Sequence, residues 1–216
     1  FTCYRPATGM GEVGALPALT NGYITFGTLS RMIRLNKNVI RTWAKILKKV
    51  RNSKLIINSA DFKTEEAKSH LIQSFEEEGI CRNQLDIGFE TPPWDTMRRI
   101  DIALDCFPHN SGSTLFEHLY MGNPFITLSD RPSVGRIGAS ILKSIGHAEW
   151  ITHTQNDYII KTVELGKDLK KLSEIRYELR SKMKTSYLMN EKAFTQNLEH
   201  AYQQMWNIYL QKTNNN

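Results

Sequence analysis

The stretch that decides the fold is Ile100-Asp-Ile-Ala-Leu-Asp-Cys-Phe-Pro-His-Asn-Ser-Gly-Ser-Thr-Leu-Phe-Glu117. Residues 100–104 are mostly apolar and predict a short buried strand. A loop of small residues follows, and a helix is predicted over residues 113–121. A strand that leads through such a loop directly into a helix is typical of the ligand-binding edge of an α/β sheet.

The same alternation continues on both sides of this stretch. Short apolar runs predict strands at 23–26, 54–57, 85–89, 100–104 and 124–128, with a tight turn at Gly27 after the first. Helical spacing of apolar residues predicts helices at 38–50, 64–78, 113–121, 136–145, 156–165, 169–183 and 191–210. Strands that alternate with helices predict the α/β class, with a Rossmann-like parallel sheet and helices on both faces.

One domain is expected to fill most of the 216 residues. The Gly/Pro-rich residues 1–22 are expected to be a connecting segment, residues 23–211 the folded domain, and the polar residues 212–216 a frayed tail. The chain starts at Phe1 without an initiator Met, so we expect a fragment of a longer protein.

Composition narrows the class of protein without deciding it. We find no signal peptide and no apolar run of about 18 residues, so no membrane partner is expected. The three cysteines have no metal-ligand spacing, which fits a reducing, cytoplasmic location. The net charge of +6 is spread along helices, and an anionic small ligand accounts for it as well as a nucleic acid does.

The loop before the predicted helix at 113–121 permits two interpretations. Asn110, Ser111 and Gly112 are small enough for backbone amides to approach a phosphate, and the helix start at Ser113 or Thr114 would face the same point. The alternative is a capping box, Thr114-Leu-Phe-Glu117, in which the Thr caps the helix and the Glu reaches back. The long run of small residues favours the ligand.

Two arginines follow the first predicted strand. Arg31 and Arg34 are three residues apart, so in a helical turn both would point roughly the same way. From there they could reach an anion held by the loop at Asn110, where a guanidinium would stabilise a departing diphosphate. The alternative is that both are ordinary surface residues.

No group of residues predicts a metal site. His109 and His118 have no partner at ligand spacing, and His118 is expected to face away from the core. Asp101 and Asp105 are four residues apart on a strand, roughly 13 Å, too far to share a metal ion. Metal-independent chemistry without a cofactor is therefore expected.

With these residues in place, the chain resembles the SPINDLY/O-linked N-acetylglucosamine transferase family (glycosyltransferase family 41). The resemblance covers almost the whole chain, and no single motif would suffice. It rests on Tyr23-Ile-Thr-Phe-Gly27, Trp43-Ala-Lys-Ile-Leu47, Asp101-Ile-Ala-Leu-Asp-Cys-Phe-Pro108, Asn110-Ser-Gly-Ser-Thr-Leu-Phe-Glu117, Leu119-Tyr-Met-Gly-Asn-Pro124, Gly135-Arg-Ile-Gly-Ala-Ser140 and Glu199-His-Ala-Tyr-Gln-Gln-Met-Trp206.

The resemblance implies the C-terminal, donor-binding domain of a two-domain GT-B glycosyltransferase, with a UDP-GlcNAc-type donor and a protein or peptide acceptor. It implies that Ser113 and Thr114 contact the diphosphate and that Glu117 holds the ribose. Arg34 falls where the family usually has a Lys that neutralises the leaving UDP, with Arg31 at a neighbouring position. The backbone from Gly88 to Glu90 would flank the uracil. The N-terminal half of the enzyme would supply much of the acceptor site, so the fragment alone is expected to be inactive.

Two departures from the family pattern keep a second hypothesis open. Arg34 replaces the Lys, and the segment Glu90-Thr-Pro-Pro-Trp94 lacks the basic residue and the His that many members carry, with Pro93 at the His position. The leading hypothesis is an inverting O-linked transfer to protein Ser/Thr. The second is a non-catalytic nucleotide-binding or scaffolding domain with a decayed site, and a nucleic-acid binder is third.

Overall fold

The computed structural model describes residues 2–214, which contain one parallel sheet of six strands. The strands are β1 (Thr25–Thr28), β2 (Lys54–Asn58), β3 (Leu85–Gly88), β4 (Ile102–Leu104), β5 (Phe125–Leu128) and β6 (Ile151–Thr152). Their order across the sheet is β3-β2-β1-β4-β5-β6, and all neighbours pair in parallel. This is the Rossmann order, in which the direction of winding reverses between β1 and β4.

Helices connect and cover the strands. The α-helices are α1 (Ala18–Asn21), α2 (Lys37–Lys49), α3 (Glu65–Glu77), α4 (Trp94–Arg98), α5 (Ser113–Tyr120), α6 (Ile137–Ser144), α7 (Gln155–Leu165), α8 (Leu169–Thr185) and α9 (Glu191–Asn214). Single 3-10 turns occur at Met32–Arg34, Ala60–Phe62, Arg82–Gln84, Ala148–Trp150 and Tyr187–Met189.

The winding reversal places helices on both faces of the sheet. Connections between parallel strands are right-handed, and β1 to β2 runs the opposite way along the sheet from β4 to β5. Helix α2 therefore lies on one face, where it contacts α3 and α7, and α5 lies on the other, where it contacts α8. The predicted fold class, a Rossmann-like α/β domain, is confirmed.

The core is continuous across both faces. Its largest fully buried side chains include aromatic residues from the strands and from the helices of one layer: Phe26, Phe125, Trp43, Tyr158 and Phe75. Each such side chain contributes about 1.5–3 kcal/mol when it is fully buried. This rigid interior holds the carboxyl-end loops in place.

The first strand differs from its prediction. Strand β1 covers Thr25–Thr28, two residues later than the predicted 23–26, and the predicted tight turn at Gly27 is wrong because that residue lies within the strand. A Cβ at Gly27 would lie 2.3 Å from the Cδ1 of Ile100. The glycine is therefore explained by close packing against the neighbouring segment rather than by a turn.

Strand β6 has no counterpart in the sequence prediction. It is only two residues long, and its neighbour Trp150 belongs to a 3-10 turn. A strand this short has no periodicity to detect. Helix α9 extends beyond the predicted end at residue 210, so residues 212–214 of the predicted tail are helical. Residues 215 and 216 of that tail, and Phe1, lie outside the described residues.

The segment predicted as a connection packs into the domain. Leu16 is fully buried, and Tyr4 is buried with its amide donating to the carbonyl of Leu188 at 2.7 Å. The amide of Ala18 donates to the carboxylate of Asp101 at 2.8 Å. Isolated apolar residues between glycines and prolines have no strand or helix period, so the sequence did not predict this packing.

Within residues 2–214, we find no helix that is both long enough and apolar enough to cross a membrane.

Candidate functional site

The candidate site lies where the loops after β1 and β4 meet. These strands are neighbours at the point of winding reversal, and the crevice beyond their carboxyl ends is the usual ligand site of open α/β sheets. The side chain of Asn36 joins the two loops by donating to the carbonyl of Phe107 at 2.7 Å. The hydroxyls of Ser30 and Ser111 form a second link between them.

Arg34 lies directly against the β4 loop. It ends the 3-10 turn Met32–Arg34, and its Nη2 lies 3.5 Å from the Nε2 of His109. Its Nε is buried and has no hydrogen-bond partner among residues 2–214. A buried donor without an acceptor is costly, and an anionic ligand would satisfy it.

Two further guanidiniums surround the same histidine. Partial desolvation and the positive charges of Arg34, Arg31 and Arg131 lower the pKa of His109. His109 is therefore neutral at neutral pH, and the local charge comes from the arginines. Arg131 has no motif in the sequence that links it to this loop, because it follows β5 and only the folded sheet brings it to this point.

The capping-box alternative for Thr114-Leu-Phe-Glu117 is wrong. Helix α5 begins at Ser113 with Gly112 at its N-cap, and no side chain caps it. The first amides of the helix are therefore left without a side-chain acceptor, and the positive end of the helix dipole lies at the end of the loop in which His109 contacts Arg34. Ser113 is exposed and Thr114 half-buried, and neither hydroxyl caps the helix. A Cβ at Gly112 would meet no atom within 4 Å.

Asn110 and Ser111 lie inside the loop rather than on its surface. The side-chain nitrogen of Asn110 donates to the carbonyls of Cys106 at 3.0 Å and of Leu128 at 3.4 Å, and its side-chain oxygen accepts from the main-chain amide of Gly138. Ser111 is buried, and its main-chain amide donates a hydrogen bond to the carboxylate of Asp105 at 2.7 Å. Their side chains support the loop, which leaves ligand contact to the residues that follow them.

Glu117 lies one turn beyond the helix start. It is half-buried on the same side of α5 as Ser113 and Thr114, while Leu115 and Phe116 face the core. Burial raises the pKa of the Glu117 carboxyl. Backbone amides, two hydroxyls and one carboxylate thus follow each other along one helix face.

Gly88 ends strand β3 and Glu90 follows two residues later, farther from the reversal point. The amide and the carbonyl of Glu90 are both bound by the side chain of Asn58, at 2.8 and 3.0 Å. Its carboxylate accepts from Thr96 at 2.5 Å and lies 3.4 Å from Arg99. The Glu90 side chain is therefore engaged within the fold, and a Cβ at Gly88 would point into open space.

The remaining candidate residues have structural positions. His118, predicted to face away from the core, is buried because α8 covers the outer side of α5, and burial lowers its pKa to about 3. Asp101 and Asp105 are both buried at opposite ends of β4, where each accepts two hydrogen bonds. Over the described chain we find no cluster of three His, Cys, Asp or Glu side chains suited to a metal ion.

Comparison with known proteins places this site in a family. Residues 15–198 match the model of glycosyl transferase family 41. A probable SPINDLY UDP-N-acetylglucosamine–peptide N-acetylglucosaminyltransferase of Petunia hybrida is 32% identical over 97% of this chain and 23% of its own length. The chain thus spans less than a quarter of that relative.

Two solved structures share the fold. A mutant of the Thermobaculum terrenum O-GlcNAc transferase superposes with a TM-score of 0.86 at 30% identity, over 94% of this chain and 39% of its own. Anabaena HepE in complex with UDP and glucose superposes with a TM-score of 0.58 at 14% identity, over 86% of this chain and 51% of its own. The chain belongs to glycosyl transferase family 41 and has the Rossmann-like fold of a GT-B glycosyltransferase domain.

Proposed function

We propose that this chain is the donor-binding half of an inverting, O-linked glycosyltransferase that transfers a sugar from a UDP-GlcNAc-type donor to Ser or Thr of a protein. The observation that carries the proposal is the convergence of Arg31, Arg34 and the uncapped start of α5 at the winding reversal. The names of its relatives support a UDP-GlcNAc donor and a peptide acceptor.

Different residues bind different parts of the donor. The amides of Gly112, Ser113 and Thr114 and the two hydroxyls bind the diphosphate, and Glu117 binds the ribose hydroxyls. In the transfer step the acceptor oxygen forms a bond to the anomeric carbon, and the bond from that carbon to the diphosphate breaks. The electron pair leaves with UDP, and Arg34 stabilises the negative charge that develops. The proton of the acceptor hydroxyl goes to a base outside the residues assigned here.

The end of strand β3 binds the base. The backbone of Glu90 is occupied by Asn58, which leaves Gly88 and the exposed ring of Phe89 to face the uracil. The ammonium of Lys63 lies 4.7 Å from the centre of the Phe89 ring. With Pro93 in place of the family's His and Glu90 already engaged, we expect weaker selection of uridine over other nucleosides.

The partner that completes the site is the N-terminal half of the same enzyme. Helix α9 presents large apolar side chains to solvent, and five of them recur at helical spacing, namely Leu198, Tyr202, Met205, Trp206 and Tyr209. An exposed apolar stripe of this kind marks a protein interface. We propose that the N-terminal half covers it, that the isolated chain binds donor without turnover, and that Trp206→Glu weakens assembly of the two halves.

The wider expectations follow from the same proposal. Arginines and backbone amides neutralise the diphosphate, so transfer proceeds without a metal ion or cofactor. The enzyme acts in the cytoplasm, and neither a nucleic acid nor a membrane is a partner.

A second candidate, a non-catalytic nucleotide-binding or scaffolding domain, is favoured by one observation. The carboxylate of Glu90 is bound by Thr96 and Arg99, and the segment Glu90–Trp94 lacks the basic residue that many family members carry there. The two functions differ in the whole protein: an enzyme transfers or hydrolyses the donor sugar, whereas a scaffold binds UDP without consuming a donor.

Calorimetric titration of UDP and UDP-GlcNAc into this chain tests the proposal. We expect saturable binding of both, weakened by Thr114→Ala and by Arg34→Ala. The matched control is Arg51→Ala, an exposed arginine in the turn before β2 at the opposite edge of the sheet. If no nucleoside diphosphate binds, the donor-binding function is excluded.

A further inference from the structure

A cavity of about 480 Å³ lies at the carboxyl ends of β5 and β6, beside helix α6. Ser129 and Asp130 follow β5, His153 follows β6, and α6 forms the third wall. The Nδ1 of His153 lies 3.2 Å from the carbonyl oxygen of Ser129, which joins the two loops. The cavity is therefore at the same edge of the sheet as the candidate donor site.

The wall that α6 contributes is basic. Arg136 directly precedes the helix, and Ser140 and Lys143 follow at spacings of four and three residues, so all three lie on one face. Arg136 and Lys143 are both exposed. No side chain caps α6, so the positive end of its dipole adds to their charge.

These cations are not neutralised within the fold. None of the ion pairs among residues 2–214 includes Arg136 or Lys143. Asp130 also lines the cavity and takes no part in those pairs. Two permanent cations against one carboxylate leave a net positive charge, which favours an anionic occupant.

The loop between β5 and α6 is fixed against the β4 loop. The main-chain amide of Asn110 donates to the carbonyl of Val134 at 2.9 Å, and that of Gly138 donates to the Asn110 side chain at 3.2 Å. A Cβ at Gly135 would lie 2.8 Å from the carbonyl oxygen of Pro108, so the two loops are in close contact. The cavity and the donor site therefore keep a fixed relative position.

The nucleoside of the proposed donor lies on the other side of the diphosphate. The proposed uracil site is at the end of β3, so the nucleotide extends from the winding reversal towards β3, whereas β5 and β6 lie in the opposite direction. The β5–β6 side is therefore open to a protein chain that presents its Ser or Thr to the donor sugar.

The cavity is within reach of residues close to the modified one. Adjacent strands are about 4.8 Å apart, so β5 and β6 lie roughly 5 and 10 Å from β4. An extended peptide spans about 3.3–3.6 Å per residue. A side chain about two to four positions from the modified Ser or Thr therefore reaches the cavity.

We propose that this cavity binds an acidic side chain of the acceptor protein, and that Arg136 and Lys143 select it. The occupant is an Asp or Glu about two to four positions from the modified hydroxyl. This site rests on the proposed transferase function and defines the class of acceptor that the enzyme prefers.

Peptide transfer by the whole protein that contains this chain tests the inference. The probes are synthetic peptides with one central Ser among Ala and Gly, and with a Glu, Gln or Lys placed two, three or four positions before or after it. At the best position we expect the Glu peptide to exceed the Gln peptide in kcat/KM by about three- to tenfold, with the Lys peptide below both. The preference should decrease at high salt, because exposed charges are screened.

Charge reversal identifies the residues that select the peptide. In the double variant Arg136→Glu, Lys143→Glu, the order should invert, so that the Lys peptide is transferred best. The calorimetric affinity for UDP should change little, because neither side chain is assigned to the donor and exposed charges are screened. The matched control is Lys49→Glu, Arg51→Glu, which makes the same change in net charge at two exposed residues before β2, at the opposite edge of the sheet. It should keep the original order.

The outcomes are distinguishable. If UDP does not bind, the donor-binding function is refuted, and the acidic subsite with it. If UDP binds and transfer occurs, equal rates for the three peptides, or an order that the double variant leaves unchanged, overturn only the subsite. If UDP binds and no peptide is transferred, the amide resonances of Ser140, Lys143 and His153 in the UDP-saturated chain decide. The Glu peptide must shift them more than the Gln peptide does, and equal shifts overturn the inference.

Discussion

The guanidinium of Arg34 and the imidazole of His109 lie side by side, with Nη2 3.5 Å from Nε2, although 75 positions separate them in the chain. Arginine can only donate, so Nε2 of His109 is the acceptor and the proton of the neutral ring resides on Nδ1. Partial desolvation and the positive charges of Arg34, Arg31 and Arg131 lower the pKa of this histidine, so the positive charge beside it comes from the arginines. Such a cluster favours an anionic ligand.

Replacement of Arg34 should affect affinity through charge and geometry. We expect Arg34→Ala to weaken UDP binding by about tenfold or more, since a charge-assisted contact contributes about 1.5–3 kcal/mol. Arg34→Lys should retain part of that affinity, because the charge remains and the fork of donors is lost. Calorimetry measures both. Equal affinity of all three proteins would show that Arg34 does not touch the diphosphate.

Glu117 should act on the nucleoside and not on the phosphates. Glu117→Ala should weaken binding of UDP by about tenfold, because a carboxylate that accepts from ribose hydroxyls is lost. Binding of inorganic pyrophosphate should be unchanged in this variant. Thr114→Ala is the counterpart and should weaken the binding of both UDP and pyrophosphate. A parallel loss of pyrophosphate binding in Glu117→Ala would place that carboxylate elsewhere.

Arg176 should be important for stability. Its guanidinium is fully buried in α8 and donates to the carbonyls of Gly14, Ile100 and Arg98 and to the side chain of Asn123. Arg176→Met leaves these acceptors unsatisfied and should lower the free energy of unfolding by about 3 kcal/mol or more. Urea denaturation measures the change. The control Arg41→Met removes only the exposed pair with Glu78, and we expect at most about 1 kcal/mol there.

The buried aspartates should make stability depend on pH with a defined sign. Burial raises the pKa of Asp101 to about 6 and that of Asp105 to about 7. At any pH between the ordinary pKa of an aspartate and these raised values, the folded chain therefore binds more protons than the unfolded chain. Each carboxyl therefore destabilises the fold progressively as pH rises from about 4 to about 7.

The difference in unfolding free energy between the unaltered chain and Asp105→Asn measures this effect. As pH rises, the unaltered chain should lose unfolding free energy relative to Asp105→Asn. His118 titrates with the opposite sign, since burial lowers its pKa to about 3, but it is present in both proteins and cancels. A difference that is constant with pH would contradict the raised pKa of Asp105.

The sequence determined the architecture because the signals for it are local. Helices α2, α3 and α7 begin and end within a residue or two of their predicted limits. The signals for them are local: the spacing of apolar residues along each helix and N-cap residues such as Asn36 and Thr64 directly before it. The parallel sheet followed from the alternation of such segments. The family resemblance then named the residues of α5 that the site would use.

Tertiary structure decided what each candidate side chain faces. Thr114 is not a cap, because the preceding loop is fixed by Asp105 and Asn110 and leaves Gly112 at the helix start. His118 is buried because a helix more than 50 positions later in the chain covers α5. Arg131 joins the arginine cluster through the order of the strands. Periodicity within a segment predicts that segment, whereas contacts between loops depend on which strands are neighbours, and only the folded sheet settles that.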